Sequence, residues 1–166
     1  MFSNENKKQA DMCRFCWMCR HICPVAGATG SEGWGPRARG LMVSMIERGS
    51  AELDAEIAEA MYHCTMCDAC ANDCETGWKP TDFIREARMY CVANEVAPAA
   101  INTAIDNILT KGNIYGEALN EKLAARIEAL PETADVLVYI GQTGRCFGTG
   151  SAISFLNILD KAEVGY

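Results

Sequence analysis

The sequence contains no long hydrophobic segment. The longest clear apolar run, from Val136 to Ile140, is five residues, whereas a membrane-spanning helix needs about 20. The first ten residues are polar and lack the apolar core of a secretory signal peptide. These two absences predict a protein that is soluble or peripheral, has no transmembrane segment and resides in the cytoplasm.

Positive charge is also scarce. The chain carries 15 Lys and Arg against 22 Asp and Glu, which gives a formal net charge of −7. Such a surplus of negative charge repels phosphate backbones and acidic headgroups. We therefore expect neither a nucleic acid nor an acidic lipid surface as a partner.

Signatures of catalysis and nucleotide binding are missing as well. The glycines at 141, 144, 148 and 150 do not match the dinucleotide fingerprint, and no phosphate-loop Lys-Ser/Thr pair follows them. No general base, nucleophile or flavin-binding pattern is visible. The sequence indicates no substrate site of its own, and whether the chain is an enzyme stays open.

Cysteine, by contrast, is abundant and regularly spaced. Eight of the ten cysteines form the pattern C-x2-C-x2-C-x3-C twice, and the second copy follows the first at a constant offset of 51 residues. Cysteines in this pattern ligate cubane [4Fe-4S] clusters, and in two-cluster proteins the fourth cysteine ligates the other cluster. The eight candidate metal ligands are Cys13, Cys16, Cys19, Cys23, Cys64, Cys67, Cys70 and Cys74.

The spacing thus predicts two [4Fe-4S] clusters with crossed ligation. One cluster is assigned to Cys13, Cys16, Cys19 and Cys74, and the other to Cys64, Cys67, Cys70 and Cys23. Zinc sites usually use separated C-x2-4-C pairs, disulfides need an oxidising compartment, and a thioredoxin-like C-x-x-C needs a βαβ context. These alternatives stay open but fit the spacing less well.

The residues between the ligands differ between the two motifs. The first motif has bulky apolar residues, which we expect to form a dry shell around its cluster: Phe15, Trp17, Met18 and Ile22. The second motif is more polar and has Glu75 where the first has Pro24. The two clusters should therefore lie in different environments, but the sequence does not predict which has the lower reduction potential.

Four further residues are open to more than one interpretation. Cys91 and Cys146 lie outside the repeat and are read first as small buried hydrophobic residues, although the glycine-rich surroundings of Cys146 leave a reactive thiol open. His21 and His63 adjoin ligands and could donate hydrogen bonds to cluster sulfur. An exposed or structural role is the first interpretation for both histidines.

Apolar periodicity predicts a mainly α-helical chain. Helices are expected to begin near Pro36, Ser50 (as N-cap) and Pro80, with two more before Gly112 and Pro131. Val136 to Ile140 is predicted to be a short strand, followed by a glycine-rich turn and a helix from Ser151, which together make one β-α unit. The polar first 12 residues are expected to pack on a neighbouring chain or to fray.

Three stretches resemble a known family. The double cysteine motif, Gly35-Pro-Arg-Ala-Arg-Gly40 and the segment 77–88 are similar to the α-helical ferredoxin domain. That domain occurs in heterodisulfide reductase and in the iron-sulfur subunits of glycolate oxidase and anaerobic glycerol-3-phosphate dehydrogenase. The resemblance covers about residues 10–95, and Glu75 departs from the usual Cys-Pro pair. It implies a mainly α fold, an α-helical ferredoxin with two crossed-ligation [4Fe-4S] clusters, plus the short C-terminal β-α unit.

The resemblance also implies a division of the chain and a function. Residues 1–97 would form the ferredoxin domain, 98–131 packing helices, and 132–166 a partial cysteine-rich domain or docking element. The chain would be an iron-sulfur electron-transfer subunit of a cytoplasmic oxidoreductase complex of anaerobic metabolism. FAD or FMN would sit on a partner, either a flavoprotein dehydrogenase or heterodisulfide reductase-like subunits. The alternatives are a catalytic thiol/disulfide reductase that uses Cys146 and a free, diffusible dicluster ferredoxin.

Overall fold

The computed structural model describes residues 2–166, which fold entirely into helices and connecting loops, with no strand in that range. The chain divides into two compact units, residues 2–99 and residues 100–166. The helices are α1 (Asn4–Asp11), α2 (Met18–Ile22), α3 (Pro24–Thr29), a 3-10 turn (Glu32–Trp34), α4 (Pro36–Glu47), α5 (Ala55–Tyr62), α6 (Ala69–Asn72), α7 (Pro80–Ala93), α8 (Ala99–Lys111), α9 (Glu121–Glu128), α10 (Gly141–Cys146) and α11 (Thr149–Lys161).

The first unit is built on the long helices α4 and α7, with α1 against both of them and α5 against α7. Each long helix starts with a proline, which suits the first turn because its missing N–H would have no helical partner. Their facing sides bury an apolar core that includes Val43, Phe83 and Ile84. The helices predicted to begin near Pro36 and Pro80 are confirmed.

Helix α5 begins later than its sequence predicts. Its N-cap is Asp54, whose carboxylate accepts a hydrogen bond from the Ile57 N–H at 2.9 Å, and not Ser50. Both residue types can cap a helix, but only Asp54 lies directly before the first helical turn. Met61, near the end of α5, packs in the core of the unit.

Helix α4 passes very close to Trp78, which follows the second cysteine motif. A Cβ atom added at Gly40 would lie 2.6 Å from Cζ2 of Trp78 and 3.4 Å from Cζ of Phe83. Trp78 is 1 % exposed as a result. A glycine in the middle of α4 thus allows an indole ring to lie against the helix backbone.

The N-terminal segment does not form a free arm. Residues 4–11 form α1, capped by the Ser3 hydroxyl, and Phe2 is 4 % exposed in the core of the same unit. Lys7 forms a 2.7 Å ion pair with Glu47 of α4. The prediction that this segment frays is wrong, because Phe2 supplies the apolar anchor that holds it on α4 and α7.

The second unit contains α8 to α11 and has a small core of Leu123, Leu156 and Tyr166. The helix predicted from Ser151 is confirmed as α11, which starts two residues earlier. The Arg126 guanidinium pairs with Asp160 and donates to the Tyr166 hydroxyl at 2.8 Å. These polar contacts tie α9 to α11 beside the apolar core.

The predicted C-terminal strand is absent from the described residues. The segment 136–140 has no regular structure, although Val138 and Ile140 pack on the core while Leu137 and Tyr139 are 94 % and 86 % exposed. The alternation that suggests a strand is real, but no neighbouring strand is available to pair its backbone groups. In place of the expected glycine-rich turn, the next segment is helix α10.

Candidate metal centre

The two cysteine motifs have the same backbone conformation. Phe15 and Trp17 in the first motif have positive φ angles of 57° and 70°, and Met66 and Asp68 at the same positions of the second have 56° and 59°. Left-handed conformations are uncommon for residues other than glycine. Their recurrence at an offset of 51 residues shows that the sequence repeat is also a structural repeat, in which α2 and α6 begin at equivalent positions.

Backbone amides in both loops point at thiol sulfur atoms. The Phe15 N–H donates to Cys13 Sγ over 3.5 Å, and the Met66 N–H donates to Cys64 Sγ over 3.4 Å. Hydrogen bonds to a ligating sulfur favour its negatively charged form and raise the reduction potential of an attached iron-sulfur cluster. The loops therefore present amide dipoles as well as thiols to whatever they bind.

The first cavity of interest has a volume of about 320 Å³ and gathers cysteines from both motifs. Cys13, Cys16 and Cys19 of the first motif line it together with Cys74, the last cysteine of the second motif. Cys70 also reaches its wall. The volume exceeds that of a single metal ion and suits a polynuclear group.

The second cavity shows the reciprocal arrangement. It is lined by Cys64, Cys67 and Cys70 of the second motif together with Cys23, the last cysteine of the first. It is much narrower, about 20 Å³, and two of its four cysteines are buried, Cys23 and Cys70 at 8 % exposure each. A cluster in this cavity would require its loop side chains to spread outward.

Burial and mutual repulsion raise the pKa of one thiol from each motif. Burial, then the neighbouring Cys13, Cys16 and Cys74, raise the pKa of Cys19 to about 11. Burial, then Cys64, Cys19, Cys67 and Cys23, raise the pKa of Cys70 to about 12. Each thiol thus interacts with the other three members of its own cavity, and Cys70 also interacts with Cys19 across the two groups. Because thiols must lose their protons to bind iron, metal binding here releases protons and relieves that repulsion.

Two other cysteines are shifted the opposite way. Hydrogen bonds from Ala69 and Thr65 lower the pKa of Cys67. At Cys74 burial acts to raise the pKa, but hydrogen bonds from Thr76 and from the Trp78 amide outweigh it and lower the pKa. Both cavities therefore contain at least one thiol that the surrounding residues already stabilise as a thiolate, the form that binds iron.

Buried donors without acceptors surround the two cavities. Among residues 2–166 four buried side-chain nitrogen atoms have no partner, and three of them belong to residues that line these cavities: Arg37 Nε and Trp78 Nε1 in the first, and Arg39 Nη2 in the second. A buried donor without an acceptor is costly, so such atoms usually serve a bound group. Four thiolates and unpaired N–H donors in each wall fit an iron-sulfur cluster, whose sulfur atoms accept hydrogen bonds. In the same residues, no cluster of three or more His, Cys, Asp or Glu side chains is arranged to hold a single metal ion.

The apolar residues between the ligands form the predicted dry shell only in part, because Trp17 and Met18 line the first cavity whereas Phe15 and Ile22 do not. Phe15, Trp17, Met18 and Ile22 are 53 %, 42 %, 57 % and 36 % exposed. Loops that turn their cysteines inward leave much of each intervening side chain exposed, and the Arg37 guanidinium lies 3.8 Å from the centre of the Trp17 ring. The buried apolar wall comes from Trp78, which sequence reasoning did not single out. Its position four residues after Cys74 was the available signal.

The remaining sequence candidates lie outside the cavities. Cys91 is fully buried in α7, which confirms the interpretation of a buried hydrophobic residue. Cys146 is partly buried and lines a separate cavity of about 410 Å³ within the second unit. His21 is exposed, and exposed His63 stacks on Trp34 with 4.2 Å between ring centroids. The first interpretation of both histidines is confirmed.

Comparison with known proteins gives two matches for the region that holds these cysteines. Residues 9–78 match a family described as 4Fe-4S dicluster domain. The chain is also similar to the probable glycolate oxidase iron-sulfur subunit of Bacillus subtilis (strain 168), with 30 % identity over 91 residues. These findings support an iron-sulfur protein whose [4Fe-4S]-binding region lies within residues 9–78.

The similarity is partial in both directions. It covers 51 % of this chain and 20 % of the Bacillus protein, so the chain matches about a fifth of that relative's length.

In residues 2–166 there is no helix with the length and apolar character needed to span a membrane.

Proposed function

We propose that this chain holds two [4Fe-4S] clusters by crossed ligation and relays single electrons between a flavoprotein partner and another redox centre of an oxidoreductase complex. One cluster would be held by Cys13, Cys16, Cys19 and Cys74, and the other by Cys64, Cys67, Cys70 and Cys23. The observation that carries the proposal is the composition of the two cavities. Each combines three cysteines of one motif with the last cysteine of the other, as two-cluster ferredoxins do.

Each cluster would supply one-electron chemistry, and the residues of this chain would set the conditions for it. Cys70 lines both cavities, which supports a short path between the two clusters. Trp78 would exclude water from the first cluster, while the loop amides at Phe15 and Met66 would donate to the ligating sulfurs. No side chain in either cavity is needed as an acid, base or nucleophile for such a relay.

The partner follows from electron counting. Most metabolites give or take two electrons, whereas a cluster takes one, so another group has to divide the pair, and FAD or FMN commonly does this. The Bacillus relative is named as a subunit of a glycolate oxidase. This supports an FAD- or FMN-containing hydroxy-acid dehydrogenase as the partner, in preference to heterodisulfide reductase-like subunits. Phe2 is deeply buried in the first unit. This argues against our expectation that the N-terminal segment binds the partner protein.

Metal analysis of anaerobically purified protein tests the cofactor. Two four-iron clusters require about eight irons and eight sulfides per chain. The Cys91→Ser variant should keep this content, because Cys91 is buried in α7 away from both cavities. Zinc in place of iron, or four irons in the unaltered chain, would refute the two-cluster proposal.

Replacement of the last cysteine of each motif by serine tests the crossed ligation. Cys23→Ser should perturb the electron paramagnetic resonance (EPR) signal of the cluster on Cys64, Cys67 and Cys70, and Cys74→Ser should perturb the other signal. If each variant instead perturbed the cluster held by the other three cysteines of its own motif, the ligation would not be crossed. Native purification with mass spectrometry and flavin analysis then tests the partner, since recovery of a lone chain with full clusters would favour a free ferredoxin.

A further inference from the structure

The second cavity contains a buried positive charge without a protein counterion. Arg39 of α4 is 1 % exposed, and its Nε donates to the Ala60 carbonyl oxygen at 2.6 Å. Its Nη2 is buried and has no partner, and Arg39 forms no ion pair among residues 2–166. A buried charge is tolerated only when something compensates it, because removing it from water costs several kcal/mol.

A second arginine lies beside the same cysteines. Arg88 of α7 donates to the carbonyl oxygens of Met61 and Cys64. The positive charge of Arg39 is near enough to act on the guanidinium of Arg88. The two guanidinium groups therefore repel each other next to the second cavity, which increases the need for negative charge there.

The carboxylate that lines this cavity does not compensate the buried positive charge. Asp68 lines the cavity but is exposed, and its carboxylate accepts a hydrogen bond from the Thr81 hydroxyl. Water screens an exposed charge far more than a buried one. A [4Fe-4S] core held by four thiolates carries a charge of about −2 in its oxidised form and about −3 when reduced.

The first cavity is different. Two arginines line it, Arg14, which is exposed, and Arg37, which is only half-buried. The guanidinium of Arg37 lies over the rings of Trp17 and Phe15 at 3.8 and 4.8 Å. Exposed Asp73 and Glu75 also line that cavity. Among residues 2–166, Arg39 beside the second cavity is thus the one charged side chain that is fully buried.

We propose that Arg39 is the internal countercharge of the cluster on Cys23, Cys64, Cys67 and Cys70, that its Nη2 donates to a sulfur of that cluster, and that it thereby keeps this cluster at the higher potential of the two. A cation beside the cluster stabilises the reduced form, which carries more negative charge, more than the oxidised form. Electrons would then come to rest on the second cluster. This inference rests on the proposed two-cluster function.

The test is a redox titration of the whole cluster-loaded chain, monitored by EPR spectroscopy. Arg39→Met removes the charge and keeps an unbranched side chain, and it should lower one potential by about 59 mV or more, a tenfold change in a one-electron equilibrium. The affected signal must be the one that Cys23→Ser perturbs. Arg48→Met, which removes an exposed arginine at the end of the same helix, should leave both potentials unchanged.

Arg39→Lys separates charge from structure. It keeps a cation at the site but lacks the planar fork that reaches both Ala60 and the cavity. It should retain both clusters, with the second potential closer to that of the unaltered chain than in Arg39→Met. Loss of clusters from Arg39→Lys, an unchanged potential in Arg39→Met, or a shift of the Cys13, Cys16 and Cys19 cluster would each overturn the inference. If the unaltered chain lacked two clusters, the proposed function itself would fail.

Discussion

Replacement of Gly40 by alanine is the sharpest test of how the fold supports the first cavity. The added Cβ would lie 2.6 Å from Cζ2 of Trp78 and 3.4 Å from Cζ of Phe83. The ring and α4 must then move apart within a packed core, and such overpacking typically costs about 1–3 kcal/mol. Alanine also gains about 1 kcal/mol of helix propensity over glycine. The net loss of folding free energy should therefore be about 0–2 kcal/mol.

Gly27→Ala is the matched control, because Gly27 lies in α3 with no atom within 4 Å of its added Cβ. Both variants gain helix propensity, so the difference between them isolates the clash and should be about 1–3 kcal/mol. Anaerobic urea titration, followed by cluster absorbance, should give a lower midpoint for Gly40→Ala than for Gly27→Ala. Since Trp78 lines the first cavity, the EPR signal of the cluster proposed there should change more than that of the other proposed cluster. Equal midpoints for the two variants would refute the close packing of Trp78 on α4.

Two further predictions concern polar contacts. The Ser44 hydrogen bond lowers the pKa of Asp11, burial opposes this, and Arg48 lowers it further. The resulting stabilisation is fully present above the unfolded pKa of 3.8, and it disappears as pH falls through the lowered folded pKa. Asp11→Asn and Ser44→Ala should each lower the folding free energy by less than about 1 kcal/mol at neutral pH in urea titrations. The double variant should lose less than the sum of the two single losses, and an additive loss would show that the two side chains are not coupled. Tyr166→Phe removes the hydroxyl that contacts Arg126 and Asp160 and should cost about 1 kcal/mol. Hydrogen exchange should accelerate in α9 and α11 alone, and unchanged exchange there would show that the contact contributes nothing.

The helical character and the grouping of the cysteines follow from local pattern. Pro36 and Pro80 mark helix starts because a missing N–H costs nothing in a first turn, and the structure begins α4 and α7 at these residues. The motif spacing predicts that each last cysteine joins the opposite trio. Each cavity contains its predicted group of four, and the first contains Cys70 in addition. Spacing is informative here because each loop is only a few residues long, so the motif itself determines the loop conformation.

Other features depend on contacts between distant residues, which a single sequence does not reveal. The segment 136–140 alternates like a strand, but a strand also requires a pairing partner, and none exists in residues 2–166. Phe2 anchors the N-terminal helix through a core that includes Trp78 and Ala87. The side chains of Phe15 and Trp17 have the composition of core residues, but their left-handed backbone and inward-facing cysteines leave them exposed.

The two halves of the repeat show how equal spacing can give unequal electrostatics. Arg37 and Arg88 occupy equivalent positions 51 residues apart. The guanidinium of Arg37 lies over the Trp17 ring, whereas that of Arg88 is directed to the backbone carbonyls of Met61 and Cys64. The first contact requires an aromatic residue at position 17, and the second motif has Asp68 at the equivalent position. A repeat that fixes ligand positions therefore leaves the surrounding charges free to differ, and two clusters of the same type can then differ in potential.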